Sequence, residues 1–111
     1  MNVYDTANQL ERKLRFLPEY ITLKEVFTKI KKDCKAFELF EEFKNMQKNL
    51  EQKVTKGEVP NSEEQIKIEK IAKKINKNEI LSAMFQKERA FGMIVEDVIK
   101  LVQAPMRDLY Q

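Results

Sequence analysis

Apolar side chains recur along this chain at steps of three and four, and almost nothing interrupts them. Val3, Ala7, Leu10, Leu14 and Leu17 form a first stripe, and Tyr20, Leu23, Val26, Phe27 and Ile30 a second. Ala36, Phe40, Phe43, Gln47, Leu50 and Val54 form a third, with Phe37 beside it. Ile68, Ile71, Ala72 and Ile75 form a fourth, and Leu81, Met84, Glu88, Phe91, Val95, Val98 and Val102 a fifth. That spacing is the helical repeat, and no segment alternates with the period of two that marks a strand. With 2 Gly and 3 Pro in 111 residues, breaks are few. The chain is therefore expected to be all-α, with about five helices and no strands.

The breaks set the expected boundaries. Pro18 suits the first position of a helix. Asp33 follows Lys31 and Lys32 and suits the N-cap of a new helix. Gly57–Asn61 is the one clear loop, and Ser62 with Gln65 reads as a capping box. Pro105 is expected to end the last helix near Gln103. The expectation is a single helical domain over 1–111 with helices near 3–16, 18–32, 34–56, 62–77 and 79–103 and a loop at 57–61. The third and fifth segments are long, each spanning roughly 35 Å. Their stripes have the 3.5-residue spacing of a coiled-coil seam. Gly57 and Pro60 turn the chain back, so an elongated antiparallel bundle with coiled-coil-like helices is predicted. So thin a shape buries little for its surface. Seven Phe and three Tyr are a large apolar load for it. A second copy covering the outer seam, a homodimer or higher oligomer, resolves that imbalance.

Composition removes many functions. There is no His, so a Ser-His-Asp or Cys-His arrangement and His-based zinc sites are excluded within this chain. Gly57 and Gly92 alone cannot build a P-loop or a dinucleotide-binding turn. One cysteine, Cys34, makes no internal disulfide and fits a reducing cytoplasm. The polar start Met1–Asp5 lacks signal-peptide order, and no apolar run approaches the roughly 20 residues of a membrane span. A non-enzymatic chain with no cofactor and no metal, cytoplasmic and without a membrane partner, is expected.

Two clusters stand out. The candidate core or dimer seam is Phe40, Phe43, Gln47, Leu50, Leu81, Glu88, Phe91, Val95 and Val98. Gln47 and Glu88 are its polar members, readable as a register-fixing layer or as a flank turned to solvent. Met84, Met93 and Met106, with Phe85 and Phe91, read as core filling ahead of an adaptable docking surface. Gly92, inside the last helix, would be rationalised by a close helix–helix approach. The second cluster is Lys67, Lys70, Lys74 and Lys77, a candidate polyanion face placed opposite Ile68, Ile71 and Ile75. Glu63, Glu64 and Glu69 interrupt it, no aromatic alternates with it, and net charge is only +3, so a solvated face outweighs a nucleic-acid partner.

The segments VYDTANQLERKLR, LPEYITLKEVF, FEEFKNMQ, KGEVP, NEILSAMFQKE and VEDVIKLVQAPMRDLY, in that order, resemble the YheA-type branch of the YlbF/YmcA family of small helical proteins of Gram-positive bacteria. The resemblance covers nearly the whole chain. It implies an all-helical, self-associating protein and no enzyme. It also implies a regulatory setting, since better-known relatives act in competence, sporulation and biofilm formation within a complex that influences RNase Y-dependent RNA processing. Those relatives are linked to iron–sulfur clusters, but Cys34 alone cannot hold one. The resulting expectation is a self-associating helical interaction or regulatory protein with a regulatory protein partner. The alternative is an RNA-associated accessory factor, an RNase-linked regulator acting through the lysine face.

Overall fold

In the computed structural model, which describes residues 2–111, five helices and no strand are found among the described residues. They are α1 (Val3–Arg15), α2 (Pro18–Lys32), α3 (Cys34–Thr55), α4 (Ser62–Lys77) and α5 (Glu79–Leu109). Side-chain caps explain most starts. Asn2 accepts from the Asp5 N–H, Asp33 from the Ala36 N–H, and Asn78 from the Leu81 N–H, at 2.9, 2.9 and 3.0 Å. Each satisfies one of the orphan donors that open a helix.

The cap of α4 is Asn61, not Ser62. Its side chain accepts from the Glu64 N–H at 2.9 Å, and Glu64 accepts in return from the Asn61 N–H, closing a capping box one residue earlier than expected. The end of α3 is a Schellman motif: the Gly57 N–H donates to the Val54 carbonyl and the Glu58 N–H to the Lys53 carbonyl, with Gly57 at φ 76°.

The expected stop near Gln103 is corrected: α5 runs through Pro105 to Leu109. Pro105 deprives the Leu101 carbonyl of its donor. This stretch is largely exposed, so water can reach that carbonyl, and Arg107 Nη2 donates to the adjacent Lys100 carbonyl at 2.7 Å. A proline on a solvated helix therefore need not end it.

The chain packs as two compact units whose boundaries fall inside α2 and α5. Unit 1 comprises 1–25 and 85–111; unit 2 comprises 26–84. Unit 2 holds most of the core: Val26, Ile30, Ala36, Leu39, Ile75, Leu81 and Met84 are buried. Phe27 meets Phe40 edge-on there, ring centroids 5.7 Å apart, and Lys44 Nζ lies 5.1 Å from the Phe40 centroid. In unit 1, Leu23 is the one described residue that is buried, and Tyr20 packs on Phe91 at 5.3 Å. Of the three methionines read as core filling, only Met84 is buried; Met93 and Met106 are exposed.

The two glycines predict opposite effects. Gly57→Ala is expected to destabilise by about 1 kcal/mol, because φ lies in the left-handed region while the added methyl meets nothing within 4 Å. Gly92→Ala also meets nothing within 4 Å in the chain and should gain about 1 kcal/mol of helix propensity. Urea titrations followed by helical circular dichroism measure both signs.

Candidate functional site

The α3–α4 pair of unit 2 encloses a groove. The turn at 56–61 folds α4 back antiparallel along α3, and the two helices pack together. Residues spaced three and four apart share a helix face. Met46 and Leu50 of α3 and Ile68 and Ile71 of α4 therefore meet across an open, mainly apolar groove of about 440 Å³. All four are half-buried.

Polar groups rim the groove. Lys67, Lys70 and Lys74 line it from α4, and all are exposed. The expectation that the lysines lie opposite the isoleucines is corrected. Lys67 is four residues before Ile71 and Lys74 three after it, so these side chains flank the apolar strip. Lys77 is exposed and lies outside the groove lining. Glu42, Asn45 and Asn49 of α3 and Glu64 of α4 complete the lining. The sequence reading missed both asparagines; the three-residue steps from Glu42 to Asn45 and from Met46 to Asn49 were the available signal.

At the turn end, Lys53 Nζ donates to Glu64 Oε1, the oxygen that also accepts from the Asn61 N–H. The two side chains are 26% and 28% exposed. The Lys53 hydrogen bond, helped by the Asn61 N–H and by the positive charges of Lys53 and Lys67, holds the Glu64 carboxyl below its ordinary range against partial burial. A depressed folded-state pKa adds stability above the unfolded pKa near 4.5 that is lost as pH falls through the folded value. Glu64→Gln, which keeps an acceptor for the capping box, is thus expected to be less stable than the parent at neutral pH. The gap should close under acid, as read from urea midpoints across pH.

The seam candidates divide between the units. Phe40, Phe43, Gln47, Leu50 and Leu81 belong to unit 2, and Glu88, Phe91, Val95 and Val98 to unit 1. Leu81 is buried; Phe40, Phe43, Leu50, Phe91, Val95 and Val98 are half-buried. Gln47 and Glu88 are exposed, so they form no buried polar layer within the chain. Cys34 is an exposed free thiol at the first position of α3. Among the described residues no three acidic or cysteine side chains are grouped to hold a metal ion, and no helix is long and apolar enough to cross a membrane.

The family model described as "Control of competence regulator ComK, YlbF/YmcA" matches residues 3–107. The chain belongs to the YlbF/YmcA family. A UPF0342 protein of Streptococcus pyogenes serotype M4 (strain MGAS10750) is 41% identical over 107 residues, covering 96% of this chain and 95% of the relative. A UPF0342 protein of serotype M49 (strain NZ131) matches with the same identity and coverage. Among solved structures, a protein of unknown function (DUF964) from Bacillus stearothermophilus superposes with TM-score 0.85 at 21% identity, over 98% of this chain and 96% of that one. The structure of yheA from Bacillus subtilis gives 0.74 at 24% identity, over 99% and 100%. At those identities the two structures establish the shared fold. The YlbF/YmcA description is regulatory and names no reaction.

Proposed function

We propose that this YlbF/YmcA family member is a non-enzymatic, cytoplasmic regulatory scaffold that works as a self-associated helical assembly, a homodimer in the first instance, and presents its remaining surface to a protein partner. The carrying observation is the imbalance inside unit 1. That unit buries Leu23 alone among its described residues, yet Val3, Tyr4, Phe16, Leu101, Val102, Met106, Leu109 and Tyr110 stand exposed. Exposed apolar surface gathered in this way marks an interaction site.

The pattern favours a second copy as the occupant. Phe91, Val95, Val98, Val102, Met106 and Leu109 continue one stripe of α5 at steps of three and four. Such a stripe is self-complementary, because a two-fold axis sets it against its own image. The family's description as control of a competence regulator supports a regulatory role over a catalytic one. Light scattering on the purified chain tests the assembly. A mass of twice 13.2 kDa, or a higher multiple, is expected; the monomer mass at micromolar concentration would overturn the reading.

A further inference from the structure

We propose that the α3–α4 groove is a docking site for an acidic amphipathic helix of a partner protein. The groove belongs to unit 2, whereas the α5 stripe proposed for self-association belongs to unit 1. Three properties of the groove select the occupant.

The first is shape. The groove is open along its length and lies between two antiparallel helices. From Glu64 to Lys74 it follows α4 for about 15 Å, roughly three helical turns. An open trough of this kind leaves a small molecule or an acyl chain wet on one side, whereas ligand pockets bury most of their ligand. A helix laid into it places one apolar face down and keeps its polar face in water.

The second is the floor. Met46, Leu50, Ile68 and Ile71 offer aliphatic and thioether surface. That surface accepts leucine-type anchors at i, i+3, i+4 and i+7. No aromatic residue lines the groove, so it lacks the stacking platform that single-stranded nucleic acid uses.

The third is charge. Lys67, Lys70 and Lys74 stand at steps of three and four along one wall, the spacing at which carboxylates would recur along one face of an opposing helix. Of the two acids in the lining, Glu64 already binds Lys53, which leaves Glu42 against the lysines. The rim is therefore net positive and complements an acidic helix, whose carboxylates can be spaced to meet the lysines and avoid Glu42, as the evenly charged backbone of a nucleic acid cannot.

The test uses the full chain, isotope-labelled, and a synthetic helical peptide of roughly three turns. The peptide carries leucines at i, i+3, i+4 and i+7 with glutamates flanking them; a second peptide carries lysines instead. The glutamate peptide is expected to shift the amide and methyl signals of Met46, Leu50, Ile68 and Ile71. The lysine peptide should bind at least about tenfold more weakly. A Lys67→Glu/Lys70→Glu/Lys74→Glu variant, whose changes are all at exposed positions, should reverse that preference while keeping its helical circular dichroism.

Equal binding of both peptides, or shifts confined to other surfaces, would overturn the proposal. So would single-stranded RNA displacing the glutamate peptide and moving the same signals, which would make the groove a nucleic-acid face. Groove signals that move on dilution of the protein alone would overturn it in favour of a second copy. The mass measurement for self-association is independent of these readouts, so either idea can fail without the other.

Discussion

Leu81→Ala is expected to lower the unfolding free energy by about 3–5 kcal/mol. Leu81 is fully buried, with Met84 one turn on and equally inaccessible. Its backbone N–H is held by the Asn78 side chain at 3.0 Å, so the helix start survives the substitution and the loss comes from packing. Removing the isobutyl group deletes its transfer free energy and leaves a cavity that the close of α4 and the start of α5 can only partly fill. A chain of this size has a total stability on the order of 5–15 kcal/mol, so roughly a fifth or more of it would be lost. Urea unfolding followed by helical circular dichroism measures the change. Glu88→Ala provides the contrast. Glu88 lies on the same sequence stripe as Leu81 but is exposed, and its replacement should stay within about 0.5 kcal/mol. A large loss at Glu88 would restore the buried polar layer that the spacing had suggested.

That contrast shows where the sequence was legible and where it was not. Helix type was readable because it depends on local spacing, and the five stripes did not need the rest of the chain to be recognised. Asp33 was readable as a cap because its neighbours are poor alternatives. Asn61 and Ser62 were harder to separate. Both are good caps, with Glu64 and Gln65 three residues later, and local rules rank them almost equally. The register that forms is the one in which Glu64 also receives Lys53, a partner eleven positions away along the chain. Which part of a stripe is covered was not readable at all. Gln47 and Glu88 keep the spacing yet are exposed, while Leu50 and Phe91, three residues further along the same stripes, are half-buried, so coverage depends on what packs over each turn and not on the step alone. The groove was hidden for a related reason. The lysines and isoleucines of α4 were visible, but not the stretch of α3 that lies against them, because that pairing is set by the turn through Gly57. The family resemblance, by contrast, rested on the order of six segments and was confirmed over residues 3–107.

Placing two carboxylates on the exposed stripe of α5, as Val102→Glu with Met106→Glu, is expected to convert the proposed homodimer to the 13.2 kDa monomer. Val102, Met106 and Leu109 are 69%, 61% and 80% exposed within the chain, so the substitutions break no internal packing and helical circular dichroism should be retained. Across a two-fold seam the consequences are large. Each chain would bring two glutamates into a surface that must lose its water, and the axis sets them against the same glutamates of the second copy. An uncompensated carboxylate buried in this way costs several kcal/mol. Even about 4 kcal/mol in total weakens association roughly a thousandfold, enough to carry a micromolar dimer out of the measurable range. Lys73→Glu, which makes the chain more negative by the same amount but at an exposed position of α4, should leave the mass unchanged. The two variants together separate a seam on α5 from a general sensitivity to charge. If the doubly substituted chain kept the parental mass, the α5 stripe would not be the seam, and the exposed apolar residues of unit 1 would need another occupant.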